Sequence, residues 1–112
     1  MSAKVYRAEP GRFELTGDCK GSGKELKTGA ALEFRGVDVS KRGFGCILTG
    51  NIKQGDLVVL QFQTRDVQFK IMWLESHLGI EGKHRAGLAP IDFLINLESL
   101  MEEFGLLQDK AS

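Results

Sequence analysis

Ala31-Leu32-Glu33-Phe34-Arg35-Gly36-Val37 leads into Asp38-Val39-Ser40-Lys41-Arg42-Gly43, and Phe44-Gly45-Cys46-Ile47-Leu48 follows. An apolar run, a short polar turn and a second apolar run read as two strands joined by Asp-x-Ser-x-x-Gly. Leu32 and Phe34 face one way while Glu33 and Arg35 face the other, the period of two of a half-buried strand. The Asp38 and Ser40 side chains can bond nearby backbone groups and so set a turn. Gly43 permits either a positive φ or close approach of a ligand to the backbone. Gly45 interrupts the second run where a neighbouring backbone or ligand can come close.

Downstream of this stretch the strand pattern repeats. Asp56 to Gln63 sets Val58, Leu60 and Phe62 against Leu57, Val59 and Gln61. Thr64-Arg65-Asp66 is a short turn. Val67 to Leu74 carries the cleanest alternation, with Val67, Phe69, Ile71 and Trp73 opposing Gln68 and Lys70. Trp73 therefore reads as a core or barrel-mouth residue rather than a stacking platform. Glu75 to Lys83 is a loop, and His84 to Ala89 a last short strand. From Asp92 the period changes: Phe93, Leu97, Leu100, Met101 and Phe104 form one stripe of an amphipathic helix. Asp92 is its expected N-cap and Gly105 its stop. Glu98, Glu102 and Glu103 fall on the other face, solvated or turned to a partner.

Upstream, Arg12 to Cys19 alternates weakly and reads as a first strand ending in a bend at Gly17-Asp18. Lys20 to Lys24, with Gly21 and Gly23, reads as a loop or hairpin tip, and Glu25 to Val37 as the second strand. Residues 1–11 are expected to be a flexible arm, 12–107 the folded unit and 108–112 a polar tail. Six short strands followed by one helix define a mainly β fold: a six-stranded antiparallel barrel with a C-terminal α-helix plugging its open end.

At 112 residues the chain supports one domain with a real core. Lysine plus arginine equals aspartate plus glutamate, so bulk attraction to nucleic acid polymers or anionic membranes is not expected. Anion binding must then come from a local arrangement of arginines. Cys19 and Cys46 match no disulfide framework or metal pattern and read as buried free thiols in a reducing compartment. Met1-Ser2-Ala3-Lys4 opens no apolar signal region, and no apolar run approaches the roughly 18 residues of a membrane span. These point to the cytoplasm. His77 and His84 have no ligand partner at metal spacing. No nucleophile elbow, Walker loop or paired-histidine motif is present, so no enzyme is expected, and no cofactor. Gly21-Ser22-Gly23-Lys24 lacks the spacing and the following helix of a phosphate loop.

The turn Asp38-x-Ser40-x-x-Gly43, preceded by Arg7 and Arg12, resembles the bacterial PilZ family. Asp38, Ser40 and Gly43 match that family's Asp/Asn-x-Ser-x-x-Gly motif in full. Arg7 and Arg12 stand for its Arg-x-x-x-Arg arm, with Ala8-Glu9-Pro10-Gly11 between them making the spacing one residue longer. Met72-Trp73 to Arg85-Ala86-Gly87-Leu88 also looks like the family's last hairpin. The resemblance covers nearly the whole chain, from Arg12 to Phe104, and implies a PilZ-like β-barrel.

It also implies a regulatory ligand, cyclic di-GMP. The arm arginines would engage guanine edges and phosphates. Asp38 would accept from a guanine N–H edge or orient an arginine, Ser40 would donate to base or phosphate, and Gly43 would keep the backbone close. Arg35, Lys41 and Arg42 are auxiliary candidates that add positive potential. Such a domain passes a second-messenger signal to a protein effector. The longer arm spacing leaves an alternative: a PilZ-like adaptor that binds protein and no nucleotide, for instance in motility or pilus assembly. An oligonucleotide-binding barrel is a third class, opposed by the zero net charge.

Overall fold

The structure is a computed structural model and describes residues 11–76 and 79–108. The elements are β1 (Phe13–Glu14), β2 (Lys20–Glu25), β3 (Ala31–Val39), β4 (Phe44–Thr49), β5 (Leu57–Phe62), β6 (Arg65–Ser76), β7 (Lys83–Pro90) and α1 (Leu97–Glu103). All pairings are antiparallel, in the order β3-β2-β5-β6-β7-β4, and β4 returns to pair with β3. The result is a closed six-stranded barrel, as expected. Closure leaves these six strands without a free edge.

Inward positions supply the core. Leu32, Phe34, Phe44, Leu48, Val58, Leu60, Phe62, Val67, Phe69 and Ile71 are all buried. Five phenylalanines carry much of it: Phe34, Phe44, Phe62 and Phe69 meet at ring-centroid distances of 5.1–6.4 Å, and Phe104 stacks on Phe62 at 6.1 Å. Burying one such ring is worth about 2–3 kcal/mol.

The barrel recruits a different first strand from the one expected. Phe13–Glu14 lies outside the six, pairing Phe13 with Val39 and Glu14 with Asp38. Lys20–Glu25, expected as a loop or tip, is instead a full barrel strand between β3 and β5. Its inward positions are Gly21, Gly23 and Glu25, so it has no apolar alternation to read. A methyl group on Gly21 would sit 3.1 Å from the Phe34 ring, and one on Gly23 would lie 2.8 Å from Leu60 Cδ2. Neighbouring side chains fill the room that β2 leaves.

Two bulges shift the register. In β3, Gly36 opposes Cys46 but Asp38 opposes Gly45. In β6, Ile71 opposes Leu88 but Trp73 opposes Gly87. Each adds one residue to its strand and turns the next one over to the other face. Trp73 thus leaves the inward set of Val67, Phe69 and Ile71 and is 42% exposed, which corrects the core alternative in its reading as a core or barrel-mouth residue. The β5–β6 turn is Gln63-Thr64 rather than Thr64-Arg65-Asp66, since Phe62 pairs with Arg65.

The helix starts later than its apolar spacing implies. Asn96 is the N-cap, its Oδ1 accepting from Ser99 N at 3.1 Å. Asp92 instead closes its own turn, accepting from Leu94 N at 2.9 Å, and Phe93 is 75% exposed rather than on the stripe. Gly105 stops the helix as expected, at φ +74°. Gly105 N donates to Glu102 O and Leu106 N to Met101 O, the paired bonds of a left-handed C-terminal cap. Leu97, Leu100 and Met101 join the barrel core.

Beyond the cap, Leu107 bridges Leu15, Thr16 N donates to Leu106 O and Gln108 N to Glu14 O. The entering and leaving segments are therefore clasped side by side. Among the described residues no helix is long and apolar enough to cross a membrane. Cys19 and Cys46 are free and buried, and burial pushes the Cys19 thiol up to about 12 and Cys46 higher.

Candidate functional site

One transverse row of residues organises an open groove on the outer wall. Asp38 on β3 opposes Gly45 on β4, Gly45 opposes Gly87 on β7, and Gly87 opposes Trp73 on β6. The two central positions carry no side chain, so the outer ones lie down across them. A methyl group on Gly45 would overlap the Asp38 carboxylate, and one on Gly87 would overlap the Trp73 indole. Without its bulge, Asp38 would fall in phase with Leu32 and Phe34 and point into the core. The groove encloses about 530 Å³, a size ordinary for small-molecule sites.

Arg12 closes the β3 side. Its Nη2 donates to Asp38 Oδ1 at 2.8 Å and its Nη1 to Ser40 Oγ at 3.3 Å. Both partners lie more than twenty residues away in sequence. The ion pair is partly withdrawn from water, each side chain 29% exposed. Its screened worth is of order 1 kcal/mol, so it positions more than it stabilises. Ser40 N donates to Gly43 O at 2.8 Å and closes the hairpin, leaving Lys41 and Arg42 at the tip. Gly43 does not have a positive φ. Its role is room: a methyl there would lie 3.2 Å from Ser40 Oγ and 3.4 Å from Arg12 Nη1.

The expected site residues separate into groups. Arg12, Asp38, Ser40 and Gly43 come together as the motif implies. Arg7 lies outside the described residues, as does His77. Arg42 lines the groove, but its Nη1 donates to Phe93 O at 2.6 Å and to Ile95 O at 3.0 Å. Lys41 is exposed, and its carbonyl accepts from Leu97 N at 3.0 Å. Arg35 is not brought to this groove. It lies across a second one with Lys20 and Lys83.

Residues that the motif does not name complete the site. Trp73, Gly87 and Arg85 line its β6–β7 wall, and Met72, 49% exposed, stands beside them. The available signal was the glycine inside each of β4 and β7, where something crosses the backbone closely. Among the described residues no group of three or more His, Cys, Asp or Glu is placed to hold a metal ion. Comparison with family models, with curated proteins and with solved structures gave no match.

Proposed function

We propose that this chain is a PilZ-like receptor domain for cyclic di-GMP. The observation that carries the reading is the Arg12 guanidinium held jointly by Asp38 and Ser40 at the lip of the groove. A fixed guanidinium is a ready partner for a phosphate or the edge of a guanine. The Trp73 indole, which lies across Gly87 and is 42% exposed, supplies a face on which a flat base can stack. In this reading Arg7, which lies outside the described residues, is the second arginine offered to the ligand.

No catalysis is involved. The output is a changed surface offered to a protein effector in the bacterial cytoplasm. The turn's Arg42 is bonded to the carbonyls of Phe93 and Ile95, next to Phe93 and Leu94, which are 75% and 81% exposed. A ligand that pulls on the turn would be felt at that apolar tip. Calorimetric titration with cyclic di-GMP tests the reading: wild type binds, and Arg12→Ala binds about tenfold or more weakly. No heat of binding at high micromolar ligand would reject the receptor role.

One observation favours a second reading. Arg12 already has both its partners within the chain, so the turn is satisfied without a nucleotide. An adaptor that binds protein through the Phe93–Leu94 tip would look the same. Nucleotide binding that depends on Arg12 eliminates it.

A further inference from the structure

The groove's far wall holds a cation outside the Asp-x-Ser-x-x-Gly motif. Arg85 stands on β7, opposite Ile47 on β4 and Glu75 on β6. It is one same-face step along the strand from Gly87, roughly 6–7 Å at strand rise. Its side chain lines the groove together with Arg12, Arg42 and Trp73. The three arginines are differently committed. Arg12 is taken by Asp38 and Ser40, and Arg42 by two backbone carbonyls. Arg85 Nε is buried and has no hydrogen-bond partner among the described residues. Glu75, although opposite in register, makes no ion pair with it among them.

Nε itself is closed off, so a ligand would be met by the terminal nitrogens of this guanidinium, which no hydrogen bond or ion pair among the described residues engages. Covering Ile47 with the aliphatic stem would explain where the side chain lies, but it gives those nitrogens no acceptor. The guanidinium fork matches two oxygens of one oxyanion. The adjoining wall is the Trp73 indole, which lies across Gly87. We infer that Arg85 is the groove's second anion-binding residue, taking a phosphate of a planar, phosphate-bearing ligand whose ring lies along the Trp73–Gly87 wall. The inference rests on reading the groove as a nucleotide site and adds the residue that spans its other side. Arg12 and Arg85 would then grip the ligand from opposite walls.

The experiment is calorimetric titration of wild type, Arg85→Ala, Arg85→Gln and Arg85→Lys with cyclic di-GMP at two salt concentrations, with thermal melts of each free protein. Arg85→Ala should weaken binding by about ten- to a hundredfold and flatten the salt dependence of Kd, because one phosphate contact is gone. Arg85→Lys, which keeps the stem and the charge, should recover part of the affinity. Arg85→Gln, which keeps much of the stem and loses the charge, decides the matter if the alanine variant does not fold. Wild-type affinity and salt dependence in a folded Arg85→Ala, or in Arg85→Gln if the alanine variant fails, would overturn this inference and leave the receptor reading standing. Failure of wild type to bind would remove both.

Discussion

The two walls of the groove are made by one device and finished in opposite chemistry. In β3 a bulge turns Asp38 outward over Gly45, and in β6 a bulge turns Trp73 outward over Gly87. The exported carboxylate is held by Arg12, whereas the indole lies on its glycine held by packing and is 42% exposed. A bulge changes which face a residue occupies, and the glycine across from it makes room for the result. A strand wall can therefore gain a functional side chain without surrendering its pairing. What differs is how firmly each is pinned, and that difference can be measured.

The largest effect should come at the pinned wall. Gly45→Ala pushes a methyl into the Asp38 carboxylate and should cost about 2 kcal/mol in urea unfolding. In an Asp38→Ala background the same substitution should cost less than half as much. An unchanged penalty would mean that the carboxylate is not what the glycine accommodates. At the looser wall the indole can lift away, so Gly87→Ala should cost only about 1 kcal/mol. Trp73 is the sole tryptophan, so its emission reports the movement and should shift red as the ring enters water. Unaltered emission would erase the contrast between the walls.

The smallest effect lies outside the groove and serves as a control. The Glu25 carboxylate accepts from Thr28 N and Thr28 Oγ1 at 2.8 Å each, and from Lys27 N at 3.1 Å. The Thr28 bonds chiefly hold its carboxyl below the ordinary glutamate value. A folded value below the unfolded one contributes stability above the unfolded value of about 4.3, lost as pH falls through the folded value. Wild type should therefore outlast Glu25→Gln in urea at pH 7, with the gap closing toward pH 3. Ligand affinity should be the same in both.

How much could be read in advance followed from which side chains do the packing. Val58, Leu60 and Phe62, and then Val67, Phe69 and Ile71, show the period of two, because each fills its own share of the core. β2 gave no such signal, since Phe34 and Leu60 occupy the space in front of Gly21 and Gly23. Trp73 continued the alternation on paper, but a bulge leaves no mark in an apolar run. The helix start was misplaced because Phe93 and Leu97 are four apart, a helical spacing that the Asp92 turn breaks. Within the groove, Asp38, Ser40 and Gly43 were visible because local turn chemistry restricts those residue types. Arg85 belongs to no local pattern, and only strand pairing shows which neighbours it has.

The clasp of Leu15 against Leu107 has a practical corollary. Glu14 and Gln108 share a hydrogen bond, and Glu14 also borders the groove. The folded unit can thus be spliced into a surface loop of a host protein without prising the host's cut ends apart. A fluorescent host built this way would carry its hinge beside the groove, where filling the groove would tug directly on the splice.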